Sequence, residues 1–123
     1  MTAFWGPDLM SNNGTTRFRL DIHGERELLD PTPQEIKLAI DSMSLSDDDP
    51  FLILEKGADG MTYIQAMLEE NSLWTVEFQD GDLQHHFQSS KVSTEKVTDM
   101  FLAFADGDEA WRTSVNWEHI DIE

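Results

Sequence analysis

Between Phe51 and Phe87 the chain carries four short runs of strand character separated by tight turn signals, and this succession constrains the fold more than any other feature. Phe51 to Glu55 is a continuous apolar run suited to a central strand. Gly57-Ala58-Asp59-Gly60 turns the chain into Met61 to Leu68, and Glu69-Glu70-Asn71-Ser72 turns it again into Leu73 to Phe78. In that third run Trp74, Val76 and Phe78 alternate with Thr75 and Glu77, the period of a strand with one buried face. Asp80-Gly81 is a hairpin signal leading into Leu83 to Phe87. Turns this short imply an antiparallel meander, since a parallel crossover needs a dozen or more residues.

Helical segments flank the meander. Thr32 can cap a helix, Pro33 suits its first position, and Glu35 can reach back to complete a capping box. Ile36, Ala39, Ile40 and Met43 then recur at helical spacing, and Asp47-Asp48-Asp49-Pro50 ends that region. Ser93 opens a second helix with Glu95 in its first turn. Its apolar stripe is Val97, Met100, Phe101, Phe104 and Ala105, and Gly107 is suited to a left-handed stop. Upstream, Phe18, Leu20 and Ile22 alternate with Arg17, Arg19, Asp21 and His23 as in a half-buried strand. The segment from Val115 to Ile122 reads as irregular or as a poor strand. The expectation is an α+β fold: a four-stranded antiparallel meander with two main helices on one face, and possible addition of an N-terminal strand. Residues 1–15 are expected to form a loose arm, and residues 16–123 a single domain.

The formal net charge is −17, from 25 acidic and 8 basic side chains. Residues 1–30 hold 5 acidic and 3 basic residues, and residues 31–123 hold 20 and 5, so the body of the chain carries nearly all the excess. Such a field repels phosphate backbones and anionic lipid, and it attracts basic surfaces and speeds encounter with them. Direct nucleic-acid binding is not expected, because that requires Lys and Arg to displace counterions. With 39% hydrophobic residues, 4 Trp and 7 Phe, the chain has enough apolar surface to fold despite its charge. Surplus acid also serves solubility alone, which is the competing reading of the charge.

There is no cysteine. This removes disulfides, thiolate catalysis and Cys-based zinc sites, and favours a cytoplasmic location. The first residues lack a basic and apolar leader pattern, and no run approaches the length of a membrane span.

Catalytic material is sparse. His85 and His86 are adjacent on an expected strand, so their rings should point to opposite faces, one toward the helices and one toward solvent. An EF-hand loop opening at Asp106 would need Gly and Glu where Trp111 and Trp117 stand. No nucleophile elbow, phosphate loop or zinc-binding spacing occurs. The expectation is therefore a protein that is not an enzyme, with no catalytic, cofactor-binding or metal-ligating residues and no cofactor. Trp111 and Trp117 are read as a cap on the core beneath the last helix.

The order of elements then resembles a known family. A helix opened by Thr32-Pro33-Gln34-Glu35-Ile36 leads to Phe51-Leu52-Ile53-Leu54-Glu55, Thr62-Tyr63-Ile64-Gln65-Ala66 and Val76-Glu77-Phe78. Val92-Ser93 then opens a helix bearing Phe101, Phe104, Gly107 and Trp111, with Trp117 beyond. Over about residues 28–120 this pattern resembles the small immunity proteins of bacterial polymorphic-toxin systems, the family numbered first among them. The resemblance implies a non-catalytic protein whose partner is a cognate toxin domain, often a deaminase or nuclease, neutralised by occlusion of its active site. A basic nucleic-acid cleft would suit the acidic body. The partner-binding candidates are Asp47, Asp48 and Asp49, Glu69 and Glu70, and Asp80 and Asp82, together with the exposed sheet face. The alternative is a general acidic interaction module or adaptor for a basic partner.

Overall fold

A computed structural model describes residues 17–46, 50–57 and 60–120. The expected N-terminal arm and the Asp47-Asp48-Asp49 run lie outside these residues, apart from the flanking positions. The chain order is β1 (Phe18–Ile22), β2 (Arg26–Leu29), α1 (Pro33–Asp41), β3 (Phe51–Lys56), β4 (Thr62–Leu68), β5 (Trp74–Asp80), β6 (His86–Val92), α2 (Thr94–Asp106) and β7 (Glu118–His119). All strands join one antiparallel sheet in the order β2-β1-β3-β4-β5-β6-β7.

Among the described residues the sheet thus has seven strands, and the expectation of four is corrected. Three physical causes account for the difference. The apolar side of β1 is buried by pairing directly with β3, Leu20 opposite Leu54 and Ile22 opposite Leu52. His23 and Gly24 both take positive φ, 60° and 73°, and fold the chain straight back into β2, whose charged sequence hides its strand character. At the far edge β7 is only two residues long, too short to leave a periodic signal. The α+β class and the placing of the two helices together against the sheet agree with expectation.

The last hairpin also differs. The carboxylate of Asp82 accepts from the amides of Gln84 and His85 at 2.9 and 3.1 Å, so the turn extends through His85 and β6 starts later than Leu83. The helices start where their caps predict. Thr32 Oγ1 accepts from Glu35 N, and Glu35 Oε1 from Thr32 N, closing the capping box. The first helix ends at Asp41, earlier than the acidic run; the Ser42 amide bonds to the Leu38 carbonyl. In α2, Ser93 caps Lys96 N, and Gly107 ends the helix at φ 82°.

Alternation assigns each strand residue to a face. One row across the sheet, Leu28, Leu20, Leu54, Ile64, Phe78 and Phe87, lies under the helices. Ile36, Ala39 and Ile40 of α1 and Val97, Met100, Phe101 and Phe104 of α2 close over it. Burying a side chain such as Phe101, which is 0% exposed, contributes about 1.5–3 kcal/mol. Trp74 is buried and donates its indole N–H to Thr94 Oγ1 at 2.8 Å, tying the fifth strand to the start of α2. Trp111, in a 3-10 turn after α2, is 5% exposed and packs edge-on to Phe78 at 4.7 Å, capping the core as expected; Trp117 packs beside it.

Candidate functional site

The opposite face of the sheet carries no helix among the described residues. Two registered rows cross it. Glu27, Asp21, Ile53, Gln65, Glu77, Gln88 and Glu118 follow one another across all seven strands. Beside them run Leu29, Arg19, Glu55, Tyr63, Gln79 and His86. These rows therefore place five carboxylates on the face against one guanidinium. Phe51 and Met67 pair at its margin and supply apolar surface.

Arg19 stands between two of the acids, its Nη2 2.6 Å from Glu55 Oε1 and its Nε 3.4 Å from Glu27 Oε2. The hydrogen bond and charge of Glu55 raise the pKa of that guanidinium further. Tyr63 is half-buried, and burial, aided by the charges of Glu77 and Glu55, pushes its phenol up from the ordinary range.

His86 is 2% exposed and so is Gln79 beside it. Gln79 Nε2 donates to the Met61 carbonyl at 3.0 Å, which orients the amide so that its Oε1 faces His86 Nδ1 at 3.1 Å. On the other side of the ring, Nε2 lies 2.7 Å from Glu77 Oε1. Both contacts are met at once when each nitrogen carries a proton, because amide and carboxylate oxygens only accept. The Tyr63 hydroxyl also points at Gln79 Oε1, at 3.4 Å. With both nitrogens engaged, the ring has no open position for a metal or for a substrate proton. The network stiffens a polar surface.

The structure corrects the expected division of the histidine pair. His86 does face inward, but on the side away from the helices, where polar neighbours bury it. His85 sits in the turn, exposed, with Nδ1 2.7 Å from Asp82 Oδ1. That hydrogen bond is the main cause holding the Asp82 carboxyl below its ordinary range.

The acidic loop candidates separate into two groups. Glu69 and Glu70 lie in the connection from β4 to β5, where Glu69 Oε2 accepts from Thr75 Oγ1 at 3.0 Å. Asp80 and Asp82 lie at the other end of β5, about 20 Å away at the rise of an extended strand. Successive hairpins of a meander alternate between the two ends of a sheet, so these loops share no single patch. Asp47, Asp48 and Asp49 fall outside the described residues.

Asp80 belongs to a cleft of about 580 Å³ lined also by Lys56, Phe104, Asp108, Glu109 and Arg112. The Arg112 guanidinium lies 4.8 Å over the Phe78 ring and within 3.3 Å of both Asp80 and Glu109. The open-face carboxylates were missed as individual residues, although one signal was present. Two of them occupy polar positions between the apolar residues of an alternating run: Asp21 between Leu20 and Ile22, and Glu77 between Val76 and Phe78.

Among the described residues no group of three or more His, Asp or Glu is arranged to hold a metal ion, and no helix is long and apolar enough to cross a membrane. Comparison with protein-family models, with curated proteins and with solved structures finds no match to this chain.

Proposed function

We propose that this chain is an immunity protein that acts by binding, and that it neutralises a cognate bacterial toxin by presenting the open face of its sheet to a basic active-site cleft. The toxin class that fits is one acting on nucleic acid, a deaminase or nuclease, because such enzymes hold phosphates with clustered Lys and Arg. The observation that carries the reading is the composition of that face: Asp21, Glu27, Glu55, Glu77 and Glu118 in adjoining rows against Arg19 alone. Carboxylates spaced along extended strands can stand in for phosphates, and the net charge of −17 steers a basic partner toward the protein. Glu69, Glu70, Asp80 and Asp82 extend the field at the two ends of the sheet. Half-buried Phe51, Tyr63 and Met67 add apolar contact to a polar interface. The fully engaged ring of His86 supports binding over chemistry.

Co-expression with the toxin encoded beside it tests the proposal. Survival should depend on this protein, and the two chains should co-purify in a complex whose association slows as salt rises. Glu27→Lys together with Glu118→Lys should weaken that complex, both side chains being exposed on the edge strands β2 and β7, where reversal leaves the core intact. No rescue and no complex at low salt would reject the immunity reading. A complex indifferent to the double reversal would move the interface elsewhere.

A further inference from the structure

Among the described residues β2 is an outer strand of the sheet and pairs only with β1. The odd-numbered residues of β1 turn their backbone groups toward β3, as the bonds from Gly57 N to Arg17 O and from His23 N to Phe51 O show at its two ends. Its even-numbered residues therefore bond to β2, and Asp30 N reaches Phe18 O at 2.8 Å in that series. By the same alternation Arg26, Leu28 and Asp30 bond inward, and the N–H and C=O groups of Glu27 and Leu29 point out of the sheet. No strand meets them among the described residues. Native sheets guard such an edge with lysine, proline or a bulge. From Arg26 to Leu29 this strand has none of them, and Leu29 is 60% exposed.

The edge is complementary to itself. For the faces of two sheets to run on, each residue must meet one of its own parity, which puts a two-fold axis through a residue. An axis through Leu28 sets that residue opposite its own counterpart, Glu27 opposite Leu29 of the other copy, and Arg26 opposite Asp30. Each Glu27–Leu29 pair can then exchange both backbone hydrogen bonds, because these are the two residues whose groups point outward. The other axes fail. Those through Arg26 or Glu27 oppose like charges, and one through Leu29 brings Pro31, which has no N–H, into the ladder.

We propose that two copies of this chain associate edge to edge through β2, in the register centred on Leu28, as a weak dimer with one continuous sheet. Arg26 is exposed and pairs with no carboxylate among the described residues, so its charge is available to Asp30 of the other copy. A pair of four-residue strands buries far less than the roughly 1,200–2,000 Å² of a stable complex. Each copy also carries −17, so the dimer forms at high protein concentration and tightens as salt screens the repulsion between the bodies. The single pair Arg26–Asp30 loses less to salt than that summed repulsion does. The side chains of Glu27 and Leu29 stay on the open face, so the dimer lays two acidic faces side by side.

The chain has no cysteine, so one introduced thiol reports the register. In this pairing the two Leu28 Cα atoms lie about 4.5 Å apart, within disulfide reach, and the two Leu29 Cα atoms more than about 7 Å apart. Leu28→Cys should oxidise to a covalent dimer, and Leu29→Cys should stay monomeric. Sedimentation equilibrium of the unaltered full chain should show a monomer–dimer equilibrium that tightens several-fold from about 0.05 M to about 0.5 M salt. Arg26→Glu, which sets like charges opposite one another, should weaken association about tenfold. Leu29→Pro removes an outward N–H at an edge position where proline is tolerated, and should abolish association with the far-UV circular dichroism unchanged. Equal cross-linking of the two thiol variants would overturn the register. A monomer at millimolar concentration and high salt, or a dimer untouched by both Arg26→Glu and Leu29→Pro, would overturn the pairing itself.

Discussion

His86 Nε2 lies 2.7 Å from Glu77 Oε1 on the side of the sheet away from the helices, and both residues come from the last two long strands. The ring is held from its other nitrogen by Gln79, so one imidazole links three positions of the surface proposed to meet a partner. His86→Phe keeps the ring volume but strands the oxygens of Glu77 and Gln79. It should lower stability by about 1–3 kcal/mol in urea unfolding. Glu77→Gln retains an accepting oxygen and should cost less. Equal stability of His86→Phe and the parent would show that water satisfies both oxygens.

Tyr63 is the only tyrosine in the chain, so its phenolate absorbance reports a single group. Burial, with Glu77 and Glu55 nearby, raises its pKa above the ordinary value of 10.0. In the native protein the phenolate band should therefore appear at higher pH than in denaturant. The sign for stability follows from the raised value. The contribution is fully present below the unfolded pKa and is lost as pH rises through the folded one. Glu77→Gln removes one of the charges and should bring the native titration part of the way down.

Arg112 spreads its guanidinium over Phe78 and Trp111, at 4.8 and 5.6 Å, while reaching Asp80 and Glu109. Replacement by Met keeps most of the stem and loses the charge over the rings. The expected cost is about 1 kcal/mol, read from urea unfolding, with a change in tryptophan fluorescence. Arg112→Lys should recover little of it, because a point charge cannot reach both carboxylates and stack.

Gly107 closes α2 at φ 82°, and a Cβ placed there would meet nothing within 4 Å. Gly107→Ala should therefore cost only the conformational penalty of the left-handed region, about 1 kcal/mol, with no repacking of the core. Gly107→Asn should cost less than Ala, since Asn visits that region more readily. A larger loss accompanied by core shifts in NMR would contradict this account.

Local chemistry made much of this protein legible in advance. The caps of both helices follow from Thr32-Pro33-Gln34-Glu35 and from Ser93, because a cap is a bond between residues three apart and needs no distant partner. The core positions Leu20, Ile22, Val76, Phe78, Phe101 and Phe104 follow from periodicity, since each of those strands and helices must hide one face.

The rest depended on which elements meet. Nothing in Phe18–Ile22 says that it pairs with β3 and completes a wider sheet, because register between segments some thirty residues apart is set by packing of both together. The edge strand at Arg26–Leu29 is charged and the one at Glu118–His119 is two residues long, so neither carries a pattern of its own. The acids of the open face are scattered through the chain from Asp21 to Glu118, and only the registered sheet makes them neighbours. The burial of His86 was equally hidden: an adjacent pair of histidines predicts opposite directions, but Gln79 and Glu77 supply the polar contacts that let one of them lie 2% exposed on the side away from the helices. Sequence decided which residues must be inside or capped, through interactions along the chain. Tertiary structure decided which surface they leave outside, because that surface joins strands from Asp21 to Glu118 that only the registered sheet brings side by side.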